Sequence, residues 1–320
     1  MRQAGRYLPQ YRAVRERFGF LELCHHPEAA AEVTLAAVEA LGVDAAIIFA
    51  DILLVLEPLG RGLEFTSADG PLLREPVRSP EDASRLKMYD VDDALSFVYE
   101  AVRQAKPALA GRVPLIGFSG APFTLASYLI EGGGSRDYIR TKSFMYRHPQ
   151  AWESMMSLLA KVISAYLRGQ IAAGADAVQI FDSWVGCLAP DDYRAFVLPH
   201  TRAAIAGLPS HVPVIHFGTG TAGLLSSVSE TGAGVIGIDW RVDLDTAWNT
   251  VGTDRAIQGN LDPAALLASP ADIRRRVRDI LGRAQQRPGH IFNLGHGVLP
   301  ATPVDHVRIL VDTVHQLSVR

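Results

Sequence analysis

The chain has 320 residues, of which 48% are hydrophobic and 20% are charged, and its formal net charge is -3. This length fits one large α/β barrel or two ordinary domains, and the composition is that of an ordinary soluble globular protein. No composition break marks a second domain, so we expect a single domain spanning residues 1–320. The slightly acidic balance argues against a general nucleic-acid-binding protein, so any affinity for anions must come from locally placed arginines.

The cysteine content and the hydropathy of the chain exclude further classes. Cys24 and Cys187 are the only cysteines, and they lie far apart in the sequence. This disfavours a disulfide framework or a cysteine-rich zinc site, so we expect no metal, and it suits a reducing cytoplasm. No secretory signal is visible, and no apolar run reaches the roughly 18 residues that span a bilayer. The sequence therefore predicts a cytoplasmic protein without a membrane partner.

The first stretch, MRQAGRYLPQYR, places three arginines before any acidic residue. Gly5 lets the backbone approach a ligand closely, and Pro9 is expected to stop a helix from running straight through, so we predict a basic loop. The planar guanidinium groups of Arg2 and Arg6 match carboxylate or phosphate oxygens, which points to a polyanionic small molecule. The alternative is a disordered basic tail, although Tyr7 and Leu8 are not typical of one.

Short apolar runs alternate with helix-forming stretches along the rest of the chain. The stretch 27–42 begins with a proline, ends with a glycine and leads into the apolar run 44–52, which predicts a helix followed by a buried strand. Similar strand-like runs occur at 114–120, 177–184, 213–219, 235–240, 256–260 and 290–296. Helices are predicted between them at 92–109, 149–173, 190–206, 221–230, 271–286 and 303–317.

This alternation predicts a single (β/α)8 barrel whose first strand is missing or truncated at the N-terminus. A doubly wound open sheet is the alternative, but no G-x-G-x-x-G motif follows the first strand. The segment 63–73 has Asp69 and Gly70 at its centre and predicts a hairpin inserted after the first strand-like run.

Polar residues and glycines end most of the predicted strands. In a barrel the carboxyl ends of the strands converge on one rim, where active sites lie. Asp51 is unusual because it follows Ile47, Ile48 and Phe49, and burying a lone carboxylate costs several kcal/mol unless it is paired. A structural role in a turn is the alternative for Asp51. From the pattern alone, Ser183 is as well explained by helix capping.

Four motifs together resemble the uroporphyrinogen decarboxylase family. They are RQAGRYLPQYR at 2–12, GFSGAPFTLASYLIEGG at 117–133, IFDSW at 180–184 and FNLGHGVLP at 292–300. The resemblance implies an enzyme of haem biosynthesis that converts the four acetate side chains of uroporphyrinogen III to methyls, giving coproporphyrinogen III and CO2. The implied substrate is a polycarboxylate tetrapyrrole, which itself serves as the electron sink, so the resemblance implies no cofactor.

The resemblance also implies the site residues. Asp51 would be catalytic and would bind the pyrrole N–H groups. The residues implied to bind substrate are Arg2, Gln3, Ala4, Gly5, Arg6, Asp51, Tyr128, Ser183 and His296. From pattern alone, Tyr128 is more often a core tyrosine, and His296, between two glycines, could be a structural histidine. The family also implies a symmetric homodimer.

Two rival functions belong to other classes. A zinc-dependent methyltransferase of the same superfamily would hold zinc with a His-x-Cys pair, but the possible counterpart here is His216-Phe217-Gly218, and His216 is better explained as a packed strand histidine. A non-catalytic tetrapyrrole-binding barrel is the other rival. Because the family has a further helix and strand before the arginine loop, we expect residues 1–4 to form the remnant of that strand beside 45–50.

Overall fold

The structure, a computed structural model, describes residues 3–66 and 70–318. The strands in this part of the chain are β1 (Ala46–Ile47), β2 (Leu63–Thr66), β3 (Gly70–Leu73), β4 (Leu115–Gly120), β5 (Ala177–Asp182), β6 (Val214–Gly218), β7 (Val235–Gly237), β8 (Ala256–Leu261) and β9 (His290–Leu294).

The α-helices of the same residues are α1 (Pro9–Arg17), α2 (Phe20–His25), α3 (Pro27–Leu41), α4 (Pro80–Ser84), α5 (Val91–Ala94), α6 (Ser96–Ala108), α7 (Pro122–Glu131), α8 (Ile139–Arg147), α9 (Pro149–Ala173), α10 (Pro190–Phe196), α11 (Leu198–Ala206), α12 (Leu225–Val228), α13 (Leu244–Val251), α14 (Pro270–Ala284) and α15 (Val304–Ser318). Short 3₁₀ helices occur at Leu54–Leu59, Val185–Cys187, Ala222–Leu224, Ser229–Thr231 and Pro263–Leu267.

Within the described residues, seven strands form one parallel sheet in the order β1-β4-β5-β6-β7-β8-β9. Neighbouring strands follow one another in sequence, and helices lie between them, as the alternation of apolar runs predicts. The β2–β3 pair is an antiparallel hairpin between β1 and β4, which confirms the hairpin prediction; Asp69 lies outside the described residues.

Two sets of contacts show that the parallel sheet curls. The side chain of Gln258 on β8 donates to Gln179 Oε1 on β5 at 3.5 Å, although two strands separate them in the sheet. The helices at the two ends of the sheet also meet, since Arg308 of α15 donates to the Ala40 carbonyl at 2.8 Å and His315 lies 3.0 Å from the Asp44 carboxylate. Gln179 and Gln258 therefore lie on the concave face, and the helices surround the convex face.

The apolar core has two parts. The larger part lies between the sheet and its helices, with Trp152 and Tyr166 of α9 among its fully buried side chains. The smaller part joins the N-terminal segment to the other end of the sheet: Tyr7 and Leu8 are buried with Leu294 of β9. This second core fixes the N-terminal segment next to the carboxyl ends of the last strands, which contradicts the alternative of a disordered tail from Gln3 onwards.

Three details of the sequence prediction are wrong. Gln3 and Ala4 are not in a strand, and the Met1–Arg2 part of the predicted strand lies outside the described residues. Pro9 begins α1 instead of stopping a helix, because a proline at the first helical position needs no backbone donor. The helix predicted at 190–206 is divided at Val197, since Pro199 cannot continue the hydrogen bonding of α10.

No helix in the described ranges combines the length and the apolar character that crossing a bilayer would need.

Candidate active site

The arginine segment turns sharply before α1. The Leu8 N–H donates to the Gly5 carbonyl at 2.9 Å. Ala4 and Gly5 are buried, whereas the next residue, Arg6, is exposed. Tyr7 is buried and donates its hydroxyl to the Gln3 carbonyl. The turn therefore presents the Arg6 side chain outward from a fixed backbone. Arg2 lies outside the described residues.

Gln3 bonds to the edge of β1 through its side chain. Its amide donates to the Ala45 carbonyl at 2.6 Å and accepts from the Ile47 N–H at 2.9 Å. These two backbone groups are the ones that a neighbouring strand would otherwise bind. Gln3 therefore lies beside the first strand-like run, as predicted for residues 1–4. Its side-chain amide makes the contact, in place of the backbone of a strand.

Asp51 follows β1 in a half-buried turn. Its Oδ1 accepts the Leu53 N–H at 2.9 Å, so the carboxylate has a structural bond of the kind that the turn alternative predicts. The residues that follow Asp51 are apolar and buried: Leu53 is 1% exposed and Leu54 is fully buried. Burial, followed by the negative charges of Asp51 and Glu57, raises the pKa of the Cys24 thiol, which keeps it protonated.

The turn after β5 carries Ser183 and is tied to α7 by one threonine. Thr124 donates to Asp182 Oδ1 at 2.9 Å and accepts the Trp184 N–H at 3.4 Å. The following 3₁₀ helix begins after Trp184 and has no side-chain cap bond, so the capping role considered for Ser183 is wrong. Ser183 is half-buried at the carboxyl end of its strand.

Tyr128 lies one helical turn after Thr124 on the same face of α7. Its ring stacks on Trp184 with the ring centroids 3.8 Å apart. The ring of Tyr138 also contacts Trp184, with centroids 5.0 Å apart. Tyr128 is half-buried, and its ring is therefore held by the same turn that carries Ser183.

His296 is exposed in the segment that follows β9. The preceding Gly295 is buried against the chain after β7: a Cβ at Gly295 would lie only 2.6 Å from the Trp240 nitrogen. No side chain fits there, so the absence of a Cβ at Gly295 allows its backbone to pack against this loop.

Three phenylalanines line the concave face of the sheet. Phe118 on β4 and Phe181 on β5 have ring centroids 5.5 Å apart, and Phe217 on β6 lies 5.9 Å from Phe181. Phe181 is half-buried, so part of this aromatic row is accessible. The sequence interpretation missed this row, although each phenylalanine stands directly before the residue that ends, or nearly ends, its strand.

Asp51, Ser183 and His296 follow the carboxyl ends of three parallel strands and so belong to one edge of the sheet. A family model described as "Uroporphyrinogen decarboxylase (URO-D)" matches residues 1–317. The chain belongs to the uroporphyrinogen decarboxylase family.

Two relatives agree with this assignment, and a solved structure shares the fold. Over 98% of the chain and 90% of the relative, the sequence is 57% identical to a uroporphyrinogen decarboxylase of Chloroflexus aurantiacus. It is 54% identical to one of a Roseiflexus species, over 99% of the chain and 93% of the relative. A methyltransferase from Methanosarcina mazei has the same fold at a TM-score of 0.80 and 19% identity, covering 96% of this chain and 91% of that one.

The zinc-site counterpart considered for the methyltransferase alternative lies in β6 of this uroporphyrinogen decarboxylase family member. His216 is fully buried in β6, which confirms its interpretation as a packed strand histidine, and it lies 3.7 Å from Asp182 and 3.4 Å from the Thr231 hydroxyl. Burial raises the pKa of the Cys187 thiol to about 11, so it is not a thiolate at neutral pH. Among residues 3–66 and 70–318, no three histidine, cysteine or acidic side chains are grouped to hold a metal ion.

The sequence interpretation also underrated two buried carboxylates, Asp182 and Asp239. Asp182 ends β5, Asp239 lies two residues after β7, and both are at most 1% exposed. Asp182 binds Thr124, and Asp239 accepts the Gly220 N–H at 2.7 Å. Their position in the sequence, at the end of an apolar run, was the available signal.

Proposed function

We propose that this chain is an active uroporphyrinogen decarboxylase that converts the four acetate side chains of uroporphyrinogen III to methyls. The supporting observation is the coincidence of family membership over residues 1–317 with the placement of Asp51, Ser183 and His296 after parallel strands of one sheet. The aromatic row of Phe118, Phe181 and Phe217 offers an apolar surface to the macrocycle.

The substrate supplies the electron sink in this reaction. A proton added to a pyrrole ring makes it an iminium-like acceptor, and when the bond to the carboxylate breaks, CO2 leaves and its bonding electrons flow into the ring. A proton then adds to the exocyclic carbon, which becomes a methyl, and the ring releases the first proton. Each cycle consumes one proton and releases one CO2, so it needs no organic cofactor or metal.

In this proposal Asp51 is the catalytic residue. Its carboxylate accepts the pyrrole N–H groups and stabilises the positive charge that develops on the ring. Because that charge is largest at the transition state, a fixed carboxylate lowers the barrier more than it strengthens substrate binding. The Leu53 N–H bond holds one Asp51 oxygen in place before substrate arrives.

The peripheral carboxylates are assigned to the rim. Arg2 and Arg6 supply guanidinium groups, Tyr128 and Ser183 supply hydroxyl donors, and His296 supplies an imidazole. The backbone of Gln3, Ala4 and Gly5 lies next to the substrate in this assignment, with the Gln3 side chain fixing that backbone to β1.

We also propose that the sheet is that of a complete (β/α)8 barrel with a truncated first strand, a single domain over 1–320. The Gln3 bonds to Ala45 and Ile47, and the core shared by Leu8 and Leu294, support this because they connect the two ends of the sheet. A symmetric homodimer in the cytoplasm is part of the proposal; sedimentation showing a monomer at micromolar concentration would contradict the dimer.

The decisive experiment is turnover of uroporphyrinogen III by the purified chain, with coproporphyrinogen III measured as product. A methyltransferase would leave the substrate unchanged, and a non-catalytic barrel would bind it without releasing CO2. Activity that is lost on chelation and recovered with stoichiometric zinc would contradict the metal-free mechanism.

A further inference from the structure

Asp239 is a buried carboxylate two residues after β7 that the proposed mechanism does not use. It is 1% exposed and accepts the Gly220 N–H at 2.7 Å and the Arg241 N–H at 3.1 Å. The Arg241 guanidinium donates to the same oxygen as Gly220 does. A buried carboxylate that accepts three hydrogen bonds from the protein is fixed in position.

Arg241 is half-exposed and lies flat against its neighbour. Its guanidinium carbon lies 4.2 Å from the centroid of the Trp240 ring. The Arg241 guanidinium thus binds Asp239 and also packs on the Trp240 indole. A planar guanidinium can make both contacts together, whereas a lysine ammonium cannot stack in this way.

Trp240 also contacts the loop that carries His296. A Cβ at Gly295 would lie 2.6 Å from the backbone nitrogen of Trp240 and 3.0 Å from its indole Cε3 atom. The backbone of Gly295 therefore rests directly on Trp240, and His296 is the next residue. Any shift of Trp240 would move the start of this loop.

A second contact connects the same network to the turn that carries Ser183. The loop after β6 includes Gly220, which Asp239 binds, and its Thr219 carbonyl would lie 2.3 Å from a Cβ at Gly186. The loop after β5 thus contacts the loop after β6 at Gly186, Asp239 joins the loops after β6 and β7, and Trp240 contacts the loop after β9.

We propose that Asp239 and Arg241 are positioning residues for His296: they fix Trp240, and Trp240 sets the place of the Gly295–His296 backbone at the substrate rim. The inference rests on the proposed function, in which His296 binds a substrate carboxylate. It adds that the guanidinium of Arg241 acts through the indole rather than by touching substrate.

The test is a double-mutant cycle between Arg241→Ala and His296→Ala, read as kcat and KM for uroporphyrinogen III. Displacing a binding group by a fraction of an ångström to 1 Å costs on the order of tenfold to a hundredfold, so Arg241→Ala should raise KM by that order with a smaller change in kcat. The double variant should be no worse than His296→Ala alone. Additive losses would overturn the proposal, because Arg241 would then act independently of His296.

Two variants separate positioning from general stability. Arg241→Lys keeps the charge beside Asp239 but loses the stack, and it should resemble Arg241→Ala in KM. Arg283 is a matched control. It is an arginine on the surface that pairs with Asp243 and Asp245, two residues close in sequence to Arg241. Arg283→Ala should leave KM unchanged; an equal rise in KM would overturn the proposal.

A measurement that does not depend on enzyme activity can test this inference separately from the proposed function. The imidazole resonances of His296, assigned with His296→Gln in protein labelled with carbon-13 at histidine, report the position of this side chain directly. Arg241→Ala should shift or broaden them, and Arg283→Ala should not. Unchanged His296 resonances in Arg241→Ala would refute the positioning role even if the wild-type chain decarboxylates no substrate.

Discussion

The indole of Trp184 stacks on the phenol ring of Tyr128, with centroids 3.8 Å apart and ring planes 32° apart. Trp184 belongs to the turn after β5, and Tyr128 belongs to α7, so this contact joins two different elements of the rim. Thr124 strengthens the same junction, since it bonds to both Asp182 and the Trp184 N–H. The Tyr128 hydroxyl is thereby placed relative to Ser183 before substrate binds.

Replacing Trp184 with Ala should weaken substrate binding. An aromatic pair of this kind contributes about 0.5–1.5 kcal/mol beyond its buried area, which corresponds to a rise in KM of up to about tenfold. Trp184→Phe keeps a ring against Tyr128 and should recover most of the loss. Steady-state kinetics with uroporphyrinogen III measure both; a Trp184→Ala enzyme with wild-type KM would show that the stack has no positioning role.

Asp51→Asn should be the most damaging conservative change at the site. The amide keeps the size and can still accept the Leu53 N–H through its oxygen, so the fold should survive while the charge is lost. Removal of one preorganised electrostatic contact typically lowers kcat on the order of a hundredfold to a thousandfold. Asp51→Glu should also be slow because the carboxylate is displaced by a methylene. Near wild-type kcat in a folded Asp51→Asn protein would make Asp51 a turn residue only.

Arg6→Ala should lower kcat/KM for uroporphyrinogen III and increase the release of partly decarboxylated intermediates. Hydrogen bonds to charged groups contribute about 1.5–3 kcal/mol, or roughly a tenfold to hundredfold effect. Arg6→Lys should recover only part of the activity because it lacks the bidentate geometry. Arg17, which pairs with Glu32 on the surface, provides the control. Equal kinetics of Arg6→Ala and Arg17→Ala would remove Arg6 from the site.

The side chain of Gln3 should stabilise the native fold, in addition to holding the N-terminal segment at the rim. Gln3→Ala leaves the Ala45 carbonyl and the Ile47 N–H without their side-chain partner, and two neutral hydrogen bonds contribute about 1–3 kcal/mol together. Gln3→Glu keeps the acceptor for Ile47 but sets a carboxylate oxygen against the Ala45 carbonyl, so its loss should be at least as large. Urea unfolding measures this, with the exposed Gln10→Ala as control. If Gln3→Ala unfolds like Gln10→Ala, these bonds do not stabilise the native state.

The His25–Glu57 pair should make stability depend on pH. The hydrogen bond to Glu57 at 2.8 Å raises the pKa of His25 in the folded state, against the opposing effect of burial. Because the folded pKa is raised, the stabilisation is fully present below the unfolded value of 6.5 and is lost as pH rises through the folded pKa.

His25→Gln removes this dependence. The difference in unfolding free energy between wild type and His25→Gln should be larger at about pH 5.5 than at about pH 8.5. The exposed His211→Gln serves as the control for replacing a histidine elsewhere. A difference that is constant across this range, or that grows with pH, would refute the assignment.

The sequence predicted the strands best where an apolar run is bounded by a proline or glycine and has a partner on both sides. The runs at 114–120 and 177–184 became β4 and β5 because burial on both faces and pairing on both edges favour extended chain. The run at 44–52 shortened to Ala46–Ile47, because β1 pairs with one strand only among residues 3–66 and 70–318 and the chain turns at Asp51. Periodicity carries no information about the number of neighbours.

For the candidate site, the positions of Asp51, Ser183 and His296 after strands could be predicted from the sequence, but the contacts that hold them could not. The stack of Trp184 on Tyr128 and the contact of Gly295 with Trp240 join residues that are 56 and 55 positions apart. Such contacts depend on the packing of loops from different strands, and neither local propensity nor a motif specifies that packing. The roles of the site residues themselves stay predictions until the variants are measured.

The bond from Arg308 to the Ala40 carbonyl and that from His315 to Asp44 join positions 268 and 271 residues apart. Contacts of such long sequence separation close large loops and form slowly. During synthesis on the ribosome, α3 therefore emerges long before α15, the helix that covers its flank. We expect the nascent chain to expose that flank of α3 for most of its translation, which makes it the surface where a chaperone would act.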